Sequence, residues 1–489
     1  MLYRSTRGAE ALYTSSEAVL TGLSPDGGLF MPDQMDWEAF PVQDAMQDDA
    51  RSLSARILHF FFDDIHGMDK IVERAYADKF DTGELTPLAA LSDRYLLELF
   101  HGPTSAFKDV ALSVLPQLLV QAKKETNDPN ETVILTATSG DTGKAALEGF
   151  HDVPGVKIIV FYPDGGVSPV QRLQMATQEG NNVFVAAISG NFDDAQTGVK
   201  QIFSKVTQED LLKDRKAVLS SANSINIGRL VPQIMYYFKA YADLLSAGKI
   251  TFKDPVDFTV PTGNFGDILA GYFAKKMGLP VRRLVCASNE NNVLTDFLKT
   301  GVYDRNRPFY RTASPSMDIL VSSNLERLLY LLTDENAGEV ASYMKSLNET
   351  GRYRVSGRVF ERLRETFACG FADDEETKKA IGTLWEKEHY LMDTHTGVAY
   401  AVSSRFLTEG IPMVVLSTAS PYKFPQAVSE ALGIAGDETD EFVLIDRIHE
   451  ATGVPVPRNL AALQQKKVRF DTVIEKDEML SYVLGKIGN

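Results

Sequence analysis

Histidine and cysteine are scarce in this chain. Its 489 residues include seven histidines and two cysteines. The histidines form no HExxH or HxH pair, and Cys286 and Cys369 have neither a CxxC partner nor metal-ligand spacing, so no metal site is expected. The two thiols read as reduced and buried, in a cytoplasmic protein. No run of about 18 uninterrupted apolar residues occurs, and no membrane span is expected. Positive charge is also short. Fifty Lys and Arg stand against 66 Asp and Glu, a formal net charge of −16. That balance argues against nucleic-acid binding, which needs a basic footprint. An anionic substrate would need a local cationic pocket. The first ten residues lack the apolar core of a signal peptide, and no leader is expected there.

What is present is an ordinary globular composition, 44% hydrophobic and 24% charged, on a chain long enough for two or three domains. After a mixed N-terminal region, β-branched runs alternate with helical stretches. The runs Thr132-Val-Ile-Leu-Thr136, Val156-Lys-Ile-Ile-Val-Phe161 and Val183-Phe-Val-Ala-Ala-Ile188 read as strands, with helices over 143–150 and 169–177. The second half repeats this style at 258–261, 283–287, 412–416 and 441–445, around a charged helical insert at about 320–395. Such alternation predicts parallel sheets with crossover helices. The expected fold class is α/β: two open parallel-type sheets flanked by helices, plus an N-terminal extension. The expected domains are 1–95, 96–250 and 251–489.

One lysine looks out of place. Lys108 follows the loop His101-Gly-Pro-Thr-Ser-Ala-Phe and opens a segment that is apolar on nearly every face. A lone lysine usually keeps its head in water. A partly desolvated one loses its proton more easily and becomes a nucleophile and base. Other loops supply partners. Ala137-Thr-Ser-Gly-Asp-Thr-Gly-Lys144 opens a helix after a strand, but it lacks the first glycine and the final Ser or Thr of a nucleotide P-loop. Thr262-Gly-Asn-Phe-Gly-Asp267 is a second strand-to-helix turn whose glycines allow backbone to approach a phosphate. Asn223-Ser-Ile-Asn226 with Arg229 offers hydrogen-bonders and a guanidinium fork. Ser417-Thr-Ala-Ser420 presents hydroxyls at another strand end. An aldehyde-reactive lysine, a phosphate cradle and a neutral hydroxyl together suit pyridoxal 5'-phosphate.

These segments resemble threonine synthases of the longer branch, pyridoxal-phosphate enzymes of fold type II. The resemblance is carried by Asp26-Gly-Gly-Leu-Phe30, Leu97 through Asp109, Thr138-Ser-Gly-Asp-Thr-Gly143, Asn223 through Arg229, Pro261 through Asp267, Pro315-Ser-Met-Asp-Ile-Leu320, Asp393-Thr-His-Thr-Gly397 and the Ser417 loop. It implies that Lys108 joins the cofactor aldehyde and is catalytic. Gly263, Asn264, Phe265 and Gly266, with Asp267, would hold the cofactor phosphate, and Thr418 the pyridine nitrogen. Asp141 would lie along the cofactor's O3′ edge with Ser139 and Thr142, which also face the substrate carboxylate. Ser224, Asn226 and Arg229 would hold the substrate phosphate. The implied reaction converts O-phospho-L-homoserine and water to L-threonine and phosphate. A phospho-lyase yielding 2-oxobutyrate and a non-catalytic cofactor-binding homologue are the alternatives. Two departures stand out. Asp141 replaces the Asn of many relatives, and a carboxylate beside a phenolate oxygen needs a proton or a partner. Ser420 stands where many have His. The oligomeric state, monomer or homodimer, is left open.

Overall fold

The computed structural model describes residues 1–487 apart from Ser139. A small antiparallel sheet of Tyr13–Thr14, Leu2–Ser5 and Phe30–Pro32 opens the chain. The main body is built on two larger sheets. The first has six strands in the spatial order Phe367–Phe371, Val281–Ser288, Val256–Pro261, Met413–Ser417, Tyr95–Glu98 and Leu88–Ala90. They run parallel except for Leu88–Ala90, which is antiparallel to its neighbour. The second has five parallel strands in the order Val473–Ile474, Val183–Ile188, Val156–Pro163, Glu131–Ala137 and Ala217–Ser220. The central strands are buried along most of their length, as strands covered on both faces must be.

Pairing between distant segments creates the site. Tyr95–Glu98 lies beside Met413–Ser417, and the Leu99 amide donates to Ser417 O at 2.9 Å. The loop leading to Lys108 and the loop carrying Thr418 therefore leave the same sheet edge side by side. Ligands bind beyond the carboxyl ends of strands in such sheets.

The structure departs from the expected strands in one place. Residues 441–445 are not a strand but the start of the helix Glu441–Thr452. Asp440 caps it by accepting from the Phe442 amide, and Leu444, Ile445 and Ile448 form its buried face. Four apolar residues in a row fit either element, and the spacing to Ile448 decides for the helix. Cys369 is a second correction. It is only partly buried, whereas Cys286 is fully so, and both are free thiols. The acidic run at 373–376 begins the helix Asp374–Glu388, where negative charge suits the positive helix end. Among the described residues no helix is long and apolar enough to cross a membrane.

Candidate active site

Lys108 is the first residue of the helix Lys108–Thr126, which is buried on almost all sides for its first three turns. The preceding loop is folded back onto the helix by Asp109. Its carboxylate accepts from the Thr104 amide at 2.9 Å and from the Thr104 hydroxyl. A Cβ on Gly102 would come within 2.4 Å of Asp109 Cβ, so only glycine passes there. Phe107 is clamped through its backbone: its amide donates to Thr418 O at 2.8 Å, and its carbonyl accepts from Tyr236 Oη at 2.6 Å. Lys108 thus projects from a rigid mount.

The lysine is 7% exposed. Its Nζ lies 3.4 Å from Ser316 Oγ and 3.6 Å from Asp141 Oδ2. Burial pulls the ammonium down to about 8; Asp141 opposes the shift, while Lys423 and Arg229 add to it. The amine is poised near neutrality, as a nucleophile or base requires. Burial would raise the Asp141 carboxyl, but Lys423 and Lys108 hold it well below the usual carboxylate range. Lys423 Nζ sits 2.8 Å from Asp141 Oδ1, and Gln171 Nε2 donates to the same oxygen at 3.2 Å. This is the partner that a carboxylate at position 141 requires.

On the opposite wall, Ser316 is positioned by His395. The Ser316 amide donates to His395 Nε2 at 3.1 Å, so the ring proton is on Nδ1, which donates to Asp393 Oδ2 at 2.8 Å. The sequence alone assigns no role to Ser316, His395 or Lys423, although Ser316 and His395 lie in segments that carry the family resemblance and Lys423 follows the Ser417 loop.

The turn at 263–266 precedes the helix Gly266–Lys276. Phe265 is left-handed, with φ 64°, and gives the helix no side-chain cap. Among the described residues the amides of 263–268 donate to no protein acceptor. A Cβ on Gly263 would come within 2.7 Å of Ser316 O. Ser322 Oγ donates to Gly263 O at 2.7 Å, and the Asn324 amide to Asn264 O at 3.0 Å. Free amides at a pinned helix N-terminus fit a phosphate. Asp267 follows them, buried, with Oδ2 unpartnered, and burial pushes its carboxyl up to about 7. In neutral form it does not repel a phosphate. The amine and the cradle thus meet two needs of pyridoxal phosphate, and Thr418, buried just beyond the strand Met413–Ser417, lies beside the mount of Lys108.

Arg229 is 5% exposed, and its Nη1 donates to Ala222 O at 2.8 Å. Among the described residues no carboxylate pairs with it, and burial pulls it down to about 10. It lies within electrostatic reach of Lys108. Ser224 is half-buried; its carbonyl accepts from Asn324 Nδ2 at 3.0 Å, and its hydroxyl is 3.3 Å from Ser323 Oγ. Asn226 stands apart from the other expected phosphate ligands. Its amide donates to Val19 O and Ser221 O and accepts from the Gly228 amide, which occupies it with backbone. Thr142, next to Asp141, is partly buried. Ser139 lies outside the described residues.

Three family models match the chain: "Pyridoxal-phosphate dependent enzyme" over residues 84–418, "Threonine synthase N terminus" over 2–76 and "Threonine synthase, C-terminal" over 396–482. The human protein named threonine synthase-like 1 is 38% identical over 86% of this chain, but the match spans only 58% of that longer protein. Threonine synthase of Schizosaccharomyces pombe is 39% identical, covering 89% of this chain and 90% of its own. Pyridoxal-phosphate-bound threonine synthase from Brucella melitensis superposes with a TM-score of 0.88 at 35% identity, covering both chains fully. The yeast enzyme gives 0.86 at 34% identity, over 99% of this chain and 98% of that one. The chain is a pyridoxal-phosphate-dependent α/β protein of fold type II and belongs to the threonine synthase family.

Proposed function

We propose that the chain is a threonine synthase, a carbon–oxygen lyase acting in the cytoplasm that converts O-phospho-L-homoserine and water to L-threonine and phosphate. The observation that carries the reading is Arg229, a buried guanidinium with no carboxylate partner among the described residues, within electrostatic reach of a buried reactive lysine. An unpaired buried cation costs several kcal/mol, and an arriving phosphate monoester recovers that cost by supplying the missing anion. Ser224 lies in the loop that leads into the short helix Ile227–Leu230 carrying Arg229, and adds a hydroxyl donor. Asn226 contributes indirectly, by holding the backbone of that loop.

Bound pyridoxal phosphate supplies an electron sink for negative charge at the substrate's Cα and Cβ. Lys108, held above the sheet edge, takes the proton from Cα and later returns one. Arg229 receives the departing γ-phosphate. Thr418 would hydrogen-bond the cofactor's ring nitrogen, and the amides of 263–268 would hold its phosphate. Asp141 stays ionised beside Lys423.

The Arg229→Met variant tests this reading. Losing one charged hydrogen-bonding partner costs roughly 1.5–3 kcal/mol, a rise of about 10- to 150-fold in KM for O-phospho-L-homoserine, with inhibition by inorganic phosphate weakened in parallel. Because the variant also removes an uncompensated buried charge, its thermal stability should equal or exceed that of the wild type. An unchanged KM would remove the assignment of Arg229.

A further inference from the structure

Two lysines converge on one buried carboxylate. Lys423 is fully buried, 2.8 Å from Asp141 Oδ1, and also donates to Thr104 O at 3.0 Å. Thr104 belongs to the loop that mounts Lys108, so one ammonium ties Asp141 to that loop. The contacts of Lys108 are looser: 3.6 Å to Asp141 Oδ2 and 3.4 Å to Ser316 Oγ. A charge-assisted bond at 2.8 Å is strong, and one at 3.6 Å is not.

Charge balance ranks the two lysines the same way. One carboxylate neutralises one ammonium, and in a dry site a second ammonium has no counter-ion. Among the described residues the surroundings do not supply one. Arg229 adds positive charge at Lys108. Burial raises the carboxyls of Asp109 and Asp267, which favours their neutral forms. Asp109 is in addition bound by Thr104. His395, which faces Asp141, is engaged by Asp393 and Ser316.

We propose that Lys423 is a positioning residue that keeps Asp141 as its own counter-ion and so leaves Lys108 as the amine that gives up its proton. The inference rests on the reading of Lys108 as the cofactor-linking amine. Without Lys423, Asp141 becomes the counter-ion of Lys108, and that pair retains the proton to higher pH. Without Asp141, Lys108 faces Lys423 and Arg229 with no carboxylate between them and loses its proton at lower pH.

The experiment uses the full chain stripped of cofactor and mixed with pyridoxal phosphate between pH 6 and 10. Growth of the visible band is followed as the neutral amine condenses with the aldehyde and releases water. Borohydride trapping with peptide mapping then locates the labelled lysine. Lys423→Met should move the midpoint of the rate profile up by about one pH unit and slow the reaction at pH 7 about tenfold. Lys423→Arg should restore most of the wild-type profile. Asp141→Asn should move the midpoint down. These opposite signs are not expected of a merely structural role, and the Asp141 arm stands even if Lys423→Met fails to fold. An unmoved or lowered midpoint in Lys423→Met, or a raised one in Asp141→Asn, overturns the inference. A label on a lysine other than Lys108 overturns instead the reading on which it rests.

Discussion

Asp267 is the sharpest test of the electrostatics around the phosphate cradle. Its carboxyl is buried, accepts from Tyr237 Oη at 3.1 Å through Oδ1 and leaves Oδ2 without a partner. Burial pushes it up to about 7 from an ordinary value of 3.8. The folded chain therefore holds this proton where the unfolded chain has released it. Stability attributable to the group is highest below about pH 4, falls as pH rises toward 7 and is flat above. Between pH 5.5 and 8 the loss amounts to about 2 kcal/mol. Asp267→Asn keeps the bond from Tyr237 and cannot ionise, so it removes this slope. In the cofactor-free protein, the variant should gain about 2 kcal/mol on the wild type across that interval. For a chain of this length unfolding as one unit, that is roughly 2 °C in Tm. Paired melts of the two proteins at pH 5.5, 7 and 8 measure the gap. A gap that stays constant with pH would refute the assignment of a raised carboxyl at Asp267.

Lys108→Ala should abolish turnover and the visible cofactor band while leaving weaker, phosphate-mediated cofactor binding, detectable by equilibrium dialysis; retained turnover would contradict its role. In the wild-type chain stripped of cofactor, the rate of condensation with pyridoxal phosphate should rise through a midpoint near pH 8, since the free amine must lose its proton. Asn226→Ala removes a helix cap and two buried bonds to backbone carbonyls, so it should destabilise the fold by about 2–4 kcal/mol in denaturant melts. That behaviour is opposite to the neutral or stabilising effect expected for Arg229→Met.

The central strands were legible because they are apolar, β-branched runs bounded by turns, as at Val156–Pro163, whereas Tyr95–Glu98, Ala217–Ser220 and Phe367–Phe371, the last inside the insert expected to be helical, gave no such signal. The misread segment, 441–445, is apolar over the same short length, and only its register with Ile448 separates helix from strand. The strand Val473–Ile474, which returns from the C-terminal region to close one edge of the five-stranded sheet, carries too few residues to signal itself. At the site, Lys108 was conspicuous because an apolar helix follows it directly. Lys423 was not, because it sits in an ordinary Pro-Tyr-Lys turn, and nothing local shows that the fold buries it against a carboxylate 282 positions earlier (423 − 141). The same holds for Ser316 and His395, whose meeting depends on two loops distant in sequence. Asn226 was drawn into the phosphate site by its neighbours, whereas its bonds to Val19 and Ser221 depend on the packing of the N-terminal region.

The central claim is that a phosphate ester is cleaved and water added at this lysine–arginine site. The direct measurement is product stoichiometry: purified holoenzyme with O-phospho-L-homoserine, following phosphate, threonine and 2-oxobutyrate together. The account predicts one threonine for each phosphate released. Phosphate accompanied mainly by 2-oxobutyrate, or no phosphate release from a protein that carries its cofactor, would contradict it.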